Sequence, residues 1–542
     1  MEKKTIVIAA AGTGSRLEKY TRYFNKAMCT LGPKPVISYI IEKFTKKDEI
    51  IILLGYKGDL LKQVVKICYP DWNIKFVDVD KYEGEGSGPG YSLYCAKDLL
   101  QKPFIYWSND TLIDEDVNVF NFSKNWILVG DPVKDSIKEY RHAEVDIEMN
   151  LKHVHEKNIF NDDGTYLPAI EICYIKDWQS FWFGVDLHKD EFCKIGVNAG
   201  LNYITTPVKA IKVGSWTDTG KAYLFEKYKE SYNKKMEENI LDKDDEFIWF
   251  IDDRVIKFHV DTEFISGRIE RYQILKELLK GSRFTLPELI SYDKNVYSYK
   301  KAEGVMIPKI MNPKLFKEFI TEWFDNIPVV PDDKLAKDLY FKFFESKTLN
   351  RAIKCKEVHN IDDSQMIING VDCIPAVDLI KKINWDEISK HAILSQRVHG
   401  DFHFDNVLYD EKNDKFVLLD WRQRFGGLTV GDVVYDLGKL YMAFVVSYEA
   451  AVRDMYRIEH LSDKEVIADI YCKFIYSKCK EVLDKFILEE FGEETLTHAQ
   501  FTLILIMFGS SGCHPNGYGE FLFYMGKSLL NEFYSKHKEY FK

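Results

Sequence analysis

Two groups of residues in this chain have the types and spacings that move phosphate, one at positions 9–28 and the other at 398–423. In the first, Ala9-Ala10-Ala11 runs into Gly12-Thr13-Gly14-Ser15, and Arg16 and Lys26 follow. Glycine needs no room for a Cβ and tolerates positive φ, so the backbone N–H groups of Ala11 to Ser15 can come close to phosphate oxygens. Arg16 and Lys26 would supply fixed positive charge. Nucleotidyl transfer needs that charge on the α-phosphate and on the departing pyrophosphate, where negative charge builds up. It also needs magnesium held by carboxylates. Asp110, closing the apolar run PFIYWSND, and Asp218, in GSWTDTG, are the candidates.

The second group is His399-Gly400-Asp401, then Asn406, then Asp420 at the end of the hydrophobic run FVLLD. Phosphoryl transfer to an alcohol requires a carboxylate that accepts the hydroxyl proton. It also requires an amide oxygen and a second carboxylate that hold magnesium against ATP phosphates. Asp401, Asn406 and Asp420 match those roles in that order.

The elements that must position these residues can be read coarsely. Over the first 225 or so residues, short β-rich runs alternate with helical ones: TIVIAA, PVISYIIEKF, EIIILLGY, GYSLYCAKDLL and PFIYWSND. That alternation predicts an α/β domain with a mixed, mostly parallel sheet. We expect it to span residues 1–228, with a charged connection over 229–245. DEFIWFIDDRVIKFHV reads as a hairpin turning at Asp252-Asp253. The remainder is expected to be mainly helical, with amphipathic helices at Phe264–Leu279, Pro313–Phe324 and Glu465–Phe491. A second domain thus covers 246–542, with a small lobe over about 246–305 and a helical large lobe over about 306–542.

With 542 residues the chain is too long for one core, and 46% hydrophobic content suffices for two or three domains. A net charge of −11 argues against a nucleic-acid or membrane-surface binder and for small anionic substrates. The ten cysteines form no CxxC or Cys/His ligand pattern, which suits a reducing cytoplasm. The apolar run in MEKKTIVIAAAG is short and leads into the glycine loop, so it reads as a buried strand rather than a leader, and no run reaches membrane-span length. Homo-oligomerisation is left open.

The first 225 or so residues resemble sugar-nucleotide-type nucleotidyltransferases, whose pattern is G-x-G-[ST]-R, then P-K, then aspartates at a strand end and in W-x-D-x-G. Gly12, Gly14, Ser15, Arg16, Lys26, Asp110, Trp216, Asp218 and Gly220 fall on those positions. The segment GPGYSLYCAKDLL is similar to the phosphocholine cytidylyltransferase branch, which implies CTP as substrate and a nucleotide-binding role for Gly88 and Gly90. Residues 245–540 resemble the aminoglycoside phosphotransferase and choline kinase superfamily, with its H-x-D-x-x-x-x-N loop and metal aspartate. The resemblance implies a bilobal protein-kinase-like fold with Lys257 as the ATP-phosphate lysine and Glu270 as its helix partner, Glu263 being the second choice. It places the inter-lobe hinge in SYKKAEGVMI. Asp436 reads as a helix-capping carboxylate.

Three departures stand out. Asn25 replaces the proline before Lys26, SND replaces GD before the metal aspartate, and Arg422 follows Trp421 where choline kinases commonly carry glutamate. A cation beside the acceptor disfavours choline and favours a polyol, a sugar or an anionic alcohol. The resemblance implies a bifunctional enzyme with ATP, CTP and Mg2+ at its two sites. It would phosphorylate a small alcohol and couple the phosphomonoester to CTP, giving a CDP-activated precursor for cell-surface polysaccharide or lipid decoration. One alternative is a sugar-1-kinase joined to a sugar-1-phosphate nucleotidyltransferase. Another is that one domain is a degenerate nucleotide sensor, which the acidic LDKDDEF near the expected ATP-phosphate loop favours.

Overall fold

Strands β1 (Thr5–Ala10), β2 (Glu49–Leu54) and β4 (Phe104–Ser108) are apolar at nearly every position because both of their faces are covered. Ile6, Ile8, Ile50, Ile52, Ile105 and Trp107 point into one hydrophobic cluster. Val7, Ile51, Leu53, Phe104 and Tyr106 point into another. This computed structural model describes residues 3–131, 137–159, 161, 165–233, 245–446, 448–514 and 516–542.

The remaining strands of this sheet are β3 (Ile74–Asp78), β6 (Asn125–Val129), β7 (His142–Val145), β8 (Leu151–His155), β9 (Tyr166–Ile175) and β10 (Val208–Lys212). The order is β8-β7-β9-β4-β1-β2-β3, with β6 pairing both β9 and β10. β1 runs parallel to β2 and β4, whereas β9 is antiparallel to β4, β6 and β7. Two short strands outside it, β5 (Thr111–Ile113) and β11 (Trp216–Asp218), form an antiparallel ribbon. The helices that matter below are α1 (Gly58–Cys68), α2 (Pro89–Tyr94), α3 (Lys189–Ile195) and α4 (Ala222–Asn233). Helix α4 runs into the expected 229–245 connection, of which residues 234–244, and with them most of the acidic segment, lie outside the described ones.

The hairpin expected at Asp252-Asp253 is β12 (Glu246–Ile251) and β13 (Arg254–His259), with Asp252 at φ 53°. With β14 (Leu289–Tyr292) and β15 (Val296–Lys300) it makes a sheet of order β12-β13-β15-β14. The chain divides into two compact units, and this sheet falls in the first: Met1–Thr262 with Leu289–Lys300. Trp249, Ile251, Ile256, Phe258 and Val296 are fully buried in the cluster that contains Ile6 and Ile50. Trp249 Nε1 donates to Thr30 Oγ1 (2.9 Å), Phe250 N to Pro33 O (2.8 Å), and Arg254 to the carbonyls of Ile67 (2.9 Å) and Cys68 (2.6 Å) at the end of α1.

The second unit comprises Glu263–Glu288 and Lys301–Lys542. Helices α5 (Thr262–Leu278) and α6 (Pro313–Phe324) fall where the periodicity predicts them. Further on come α7 (Ser346–Val358), the antiparallel pair β16 (Val407–Asp410) and β17 (Lys415–Leu418), and α8 (Val433–Val445). The predicted helix at Glu465–Phe491 is a correction. Glu465–Ile470 is a strand, β19, paired with β18 (Tyr456–Ser462), and only Phe474–Glu490 is helical, as α9. Val466 and Ala468 are buried two apart, a period of two that a helix-length window averages away. Helices α10 (Glu493–Ser511) and α11 (Gly517–Lys536) close the core against α8 and α7. Among the described residues no helix is long and apolar enough to cross a membrane.

Two candidate active sites

In the first unit the glycine loop follows β1 directly. Gly14 has φ 66°, and a Cβ there would lie 2.9 Å from the Thr21 methyl, so both conformation and crowding demand glycine. It opens a 3-10 turn, Ser15–Thr21, that carries Arg16. At Gly12 a Cβ would meet nothing within 4 Å, so that side of the loop is open.

Asn25 acts as a clamp. Fully buried, it donates to Ala10 O (2.8 Å) and Tyr56 O (2.7 Å) and accepts from Ala27 N (2.9 Å), capping the turn that begins at Lys26. The residue that departs from the proline of the pattern thus ties the end of β1 to the lysine.

Lys26 Nζ donates to Asp110 Oδ2 at 2.8 Å, Ser108 Oγ to Asp110 Oδ1 at 2.6 Å, and Arg16 stands 3.9 Å away. Burial alone would raise the Asp110 carboxyl; the Lys26 charge and these hydrogen bonds outweigh it and hold the group well below the usual carboxylate range. The β5–β11 ribbon sets Asp218 opposite Thr111, and Thr219 N donates to Asp110 O (2.8 Å). At Gly220 a Cβ would lie 2.6 Å from Asp110 Oδ2 and 3.1 Å from Asp218 Oδ1. The two carboxylates therefore converge on one point, and only glycine leaves it clear. Asp218 also accepts from Tyr140 OH (2.8 Å), which in turn accepts from Lys221 Nζ (3.2 Å). Sequence reasoning gave no role to Lys221 or Tyr140; the signal for Lys221 is its place three residues past Asp218, and nothing in the sequence marks Tyr140.

Two converging carboxylates suit magnesium, which takes one or two protein carboxylates and completes its shell with phosphate oxygens and water. Among the described residues no cluster of three or more His, Cys, Asp or Glu donors exists that could hold a metal by itself. Gly88 and Gly90 have a packing reason to be glycine: Cβ atoms there would lie 2.2 Å from Cys193 O and 1.7 Å from Phe192 O, where α2 meets α3.

In the second unit the loop 399–406 is pinned from behind. Asp436 Oδ2 and Oδ1 accept the N–H groups of His399 and Gly400, both at 2.7 Å, and Trp323 Nε1 donates to the same carboxylate at 3.2 Å. Asp432, not Asp436, caps α8. The capping role read for Asp436 is thus corrected: its carboxylate spans from helix to loop. Burial raises this carboxyl to about 7, even against those hydrogen bonds.

Asp401 faces forward, its side chain 30% exposed. Lys439 Nζ lies 2.8 Å from Oδ1, and His403 Nε2 3.6 Å from Oδ2. Burial would raise Asp401, but Lys439, His403 and Arg422 keep it ionised, well below the usual range. Asn406 Nδ2 donates to Asp401 O (2.9 Å) and Oδ2 (3.1 Å). Leu419 N donates to Asn406 O (2.8 Å), so the β16–β17 pair sets Asn406 beside Asp420. Asp420 has φ 57° and pairs with Arg268 at 2.9 Å. An amide and a carboxylate on adjoining strand ends fit a magnesium site of two protein ligands.

Glu270 engages Arg424 within the second unit, whereas Lys257 is buried on β13 of the first. Arg422 Nε donates to Gly400 O (3.0 Å), and its guanidinium lies over the rings of Phe343 and Tyr435. Sequence reasoning missed Lys439 and gave His403 no role. Lys439, three residues after Asp436, shares the helix face that meets the loop, a meeting that only the fold discloses.

Residues 380–470 match the phosphotransferase enzyme family. The bifunctional protein GlmU of Methanocaldococcus jannaschii is 26% identical over 252 residues, covering 44% of this chain and 58% of that protein. The choline-phosphate cytidylyltransferase of Streptococcus pneumoniae is 34% identical over 101 residues, covering 18% of this chain and 42% of that protein. The chain thus spans about half the length of these curated relatives. Among solved structures, a UDP-glucose pyrophosphorylase from Acinetobacter baumannii aligns at a TM-score of 0.37 and 17% identity, over 44% of this chain and 95% of that one. A nucleotidyltransferase-like region and a phosphotransferase-family segment are joined in one chain.

Proposed function

We propose that this chain is a bifunctional enzyme that phosphorylates a small alcohol with ATP and then transfers a nucleotide, from CTP, to the resulting phosphomonoester. The observation that carries this reading is that each half holds its own aspartate clasped by a lysine at 2.8 Å, Lys26 on Asp110 and Lys439 on Asp401.

In the kinase half, Asp401 accepts the proton of the acceptor hydroxyl as that oxygen bonds to the γ-phosphorus and the bridging bond to ADP breaks. Asn406 and Asp420 would hold magnesium, which would neutralise the ATP phosphates. Asp436 fixes the loop backbone, so Asp401 needs no rearrangement as charge develops.

In the nucleotidyltransferase half, an oxygen of the phosphomonoester attacks the α-phosphorus and the bond to pyrophosphate breaks. Backbone N–H groups of Ala11–Ser15 would cradle the triphosphate, with Arg16 and Lys26 on the charge that leaves. Asp110 and Asp218 would hold magnesium at the α-phosphate, with Gly220 leaving them room. Choice of CTP rests on the likeness to the pneumococcal relative.

The test is a product screen. The full chain is incubated with ATP, each of four nucleoside triphosphates and a panel of alcohols, and products are identified by mass spectrometry. A CDP-linked product that requires both ATP and CTP supports the proposal. A panel that yields neither a phosphomonoester nor pyrophosphate refutes it.

A further inference from the structure

Beside Asp401 the second unit carries more positive charge than the phosphoryl-transfer chemistry uses. The chain between Leu339 and Ser346 leaves the α-helical path for one π-helical turn, Tyr340–Glu345, a distortion often found at functional sites. That turn brings Phe343 against Tyr435, with ring centroids 5.3 Å apart, and starts α7 so that Lys347 faces the same place. Lys347 Nζ donates to Tyr435 OH at 2.9 Å and lies 4.7 Å from the Phe343 ring centre. Arg422 lies over those two rings from the loop side, 5.2 and 5.7 Å from their centres. Its Nε is held by Gly400 O, one residue before Asp401. Lys439 completes the group at Asp401 itself.

Neither Lys347 nor Arg422 has a carboxylate partner among the described residues. The nearby Asp401 carboxylate is already engaged by Lys439 at 2.8 Å and faces His403 at 3.6 Å, and the reaction requires its oxygens. Lys347 is half-buried, and burial with the neighbouring Arg422, Arg351 and Lys439 charges pulls its pKa down. A half-buried cation among cations is costly unless an anion joins it. A structural alternative, that Tyr435 alone satisfies Lys347, leaves the Arg422 charge with only a carbonyl and two aromatic faces.

We propose that Lys347, Arg422 and Tyr435 form the acceptor subsite of the kinase and that it binds the anionic group, carboxylate or phosphate, of an alcohol whose hydroxyl reaches Asp401. This rests on the kinase reading above. It selects, from the neutral and anionic alcohols that Arg422 alone leaves open, the class carrying a negative charge.

The experiment uses the full chain in two arms. In the first, inorganic phosphate and glycerate are titrated by calorimetry into wild type, Lys347→Met and Lys347→Arg. Phosphate also meets the nucleotide sites, so the readout is the component lost in Lys347→Met and kept in Lys347→Arg. In the second, ATP-dependent turnover is compared for glycerate, glycerol 3-phosphate, glycerol and ethanolamine, with Asp401→Asn as the control for the kinase reading. We expect a Lys347-dependent anion component and a kcat/KM for one charged alcohol about tenfold to a hundredfold above glycerol, falling by a similar factor, through KM, in Lys347→Met. Glycerate against glycerol 3-phosphate tells carboxylate from phosphate. Asp401-dependent turnover that favours glycerol or ethanolamine and is unmoved by Lys347→Met overturns the inference and leaves the kinase reading standing. Lys347-dependent anion binding without Asp401-dependent turnover overturns the kinase reading and the acceptor assignment with it, leaving an anion site only. Absence of the Lys347-dependent component in a folded Lys347→Met protein overturns the inference whatever the turnover shows.

Discussion

Asp436 and Lys439 stand one turn apart on α8 and hold the same loop in two different ways: Asp436 takes its backbone N–H groups at 2.7 Å, and Lys439 takes the Asp401 carboxylate at 2.8 Å. One residue fixes where the loop is, the other fixes its charge, and each can be removed separately.

Asp401→Asn should abolish ATP-dependent phosphorylation while leaving pyrophosphate release intact when phosphorylated acceptor is supplied. The two sites belong to different compact units. Parallel assays of ADP and pyrophosphate check this; loss of both in a folded protein contradicts two independent sites.

Asp436→Ala should lower kinase kcat at least tenfold with little change in KM for ATP. It strands three buried N–H groups, those of His399, Gly400 and the Trp323 indole, each costing about 1–3 kcal/mol, so the second unit should also melt earlier. Steady-state kinetics with calorimetric melting separates the two effects.

Gly220→Ala should suppress magnesium-dependent pyrophosphate release as strongly as Asp110→Ala does, although it removes no charge. The added methyl would sit 2.6 Å from Asp110 Oδ2 and force the carboxylates apart. Kinase turnover should persist. An alanine variant with wild-type release rates would place the metal elsewhere.

Glu49 gives a pH prediction for the fold. Burial would raise this carboxyl, but Lys102 and Lys75 hold it down to about 2. Its folded pKa lies below the unfolded value near 4.5, so its stabilisation is present above about pH 4.5 and is lost as pH falls toward about 2. Glu49→Gln should therefore lower the denaturation midpoint of the first unit at pH 7 and shrink the wild-type advantage at pH 3. Urea melts at the two pH values test it.

Much of the α/β half was legible because each of its signals is local. The strand TIVIAA, the glycine loop and the hairpin at Asp252 declare themselves within a dozen residues. Asn25 and Lys439 were not legible as parts of a site, since their partners lie across the fold: Asn25 with Ala10 and Tyr56, Lys439 with Asp401. The strand at Glu465–Ile470 was lost because alternation over six residues adjoined a longer helical pattern. Nor does a strand's sequence say which core it will complete, and so β12 and β13 read as the start of the second domain.

That last point bears on anyone who would cut the gene in two. A cloning boundary in the acidic stretch before Asp245 would sever β12 and β13 from Thr30, Pro33 and α1, leaving Trp249 and Phe258 facing water. Fully burying a large apolar side chain is worth about 1.5–3 kcal/mol, so the separated C-terminal product should expose a sticky surface and precipitate. The N-terminal product would lack the same panel from its own core. Coexpressed halves should find each other, and complementation between them would be evidence that the fusion has become structural as well as genetic.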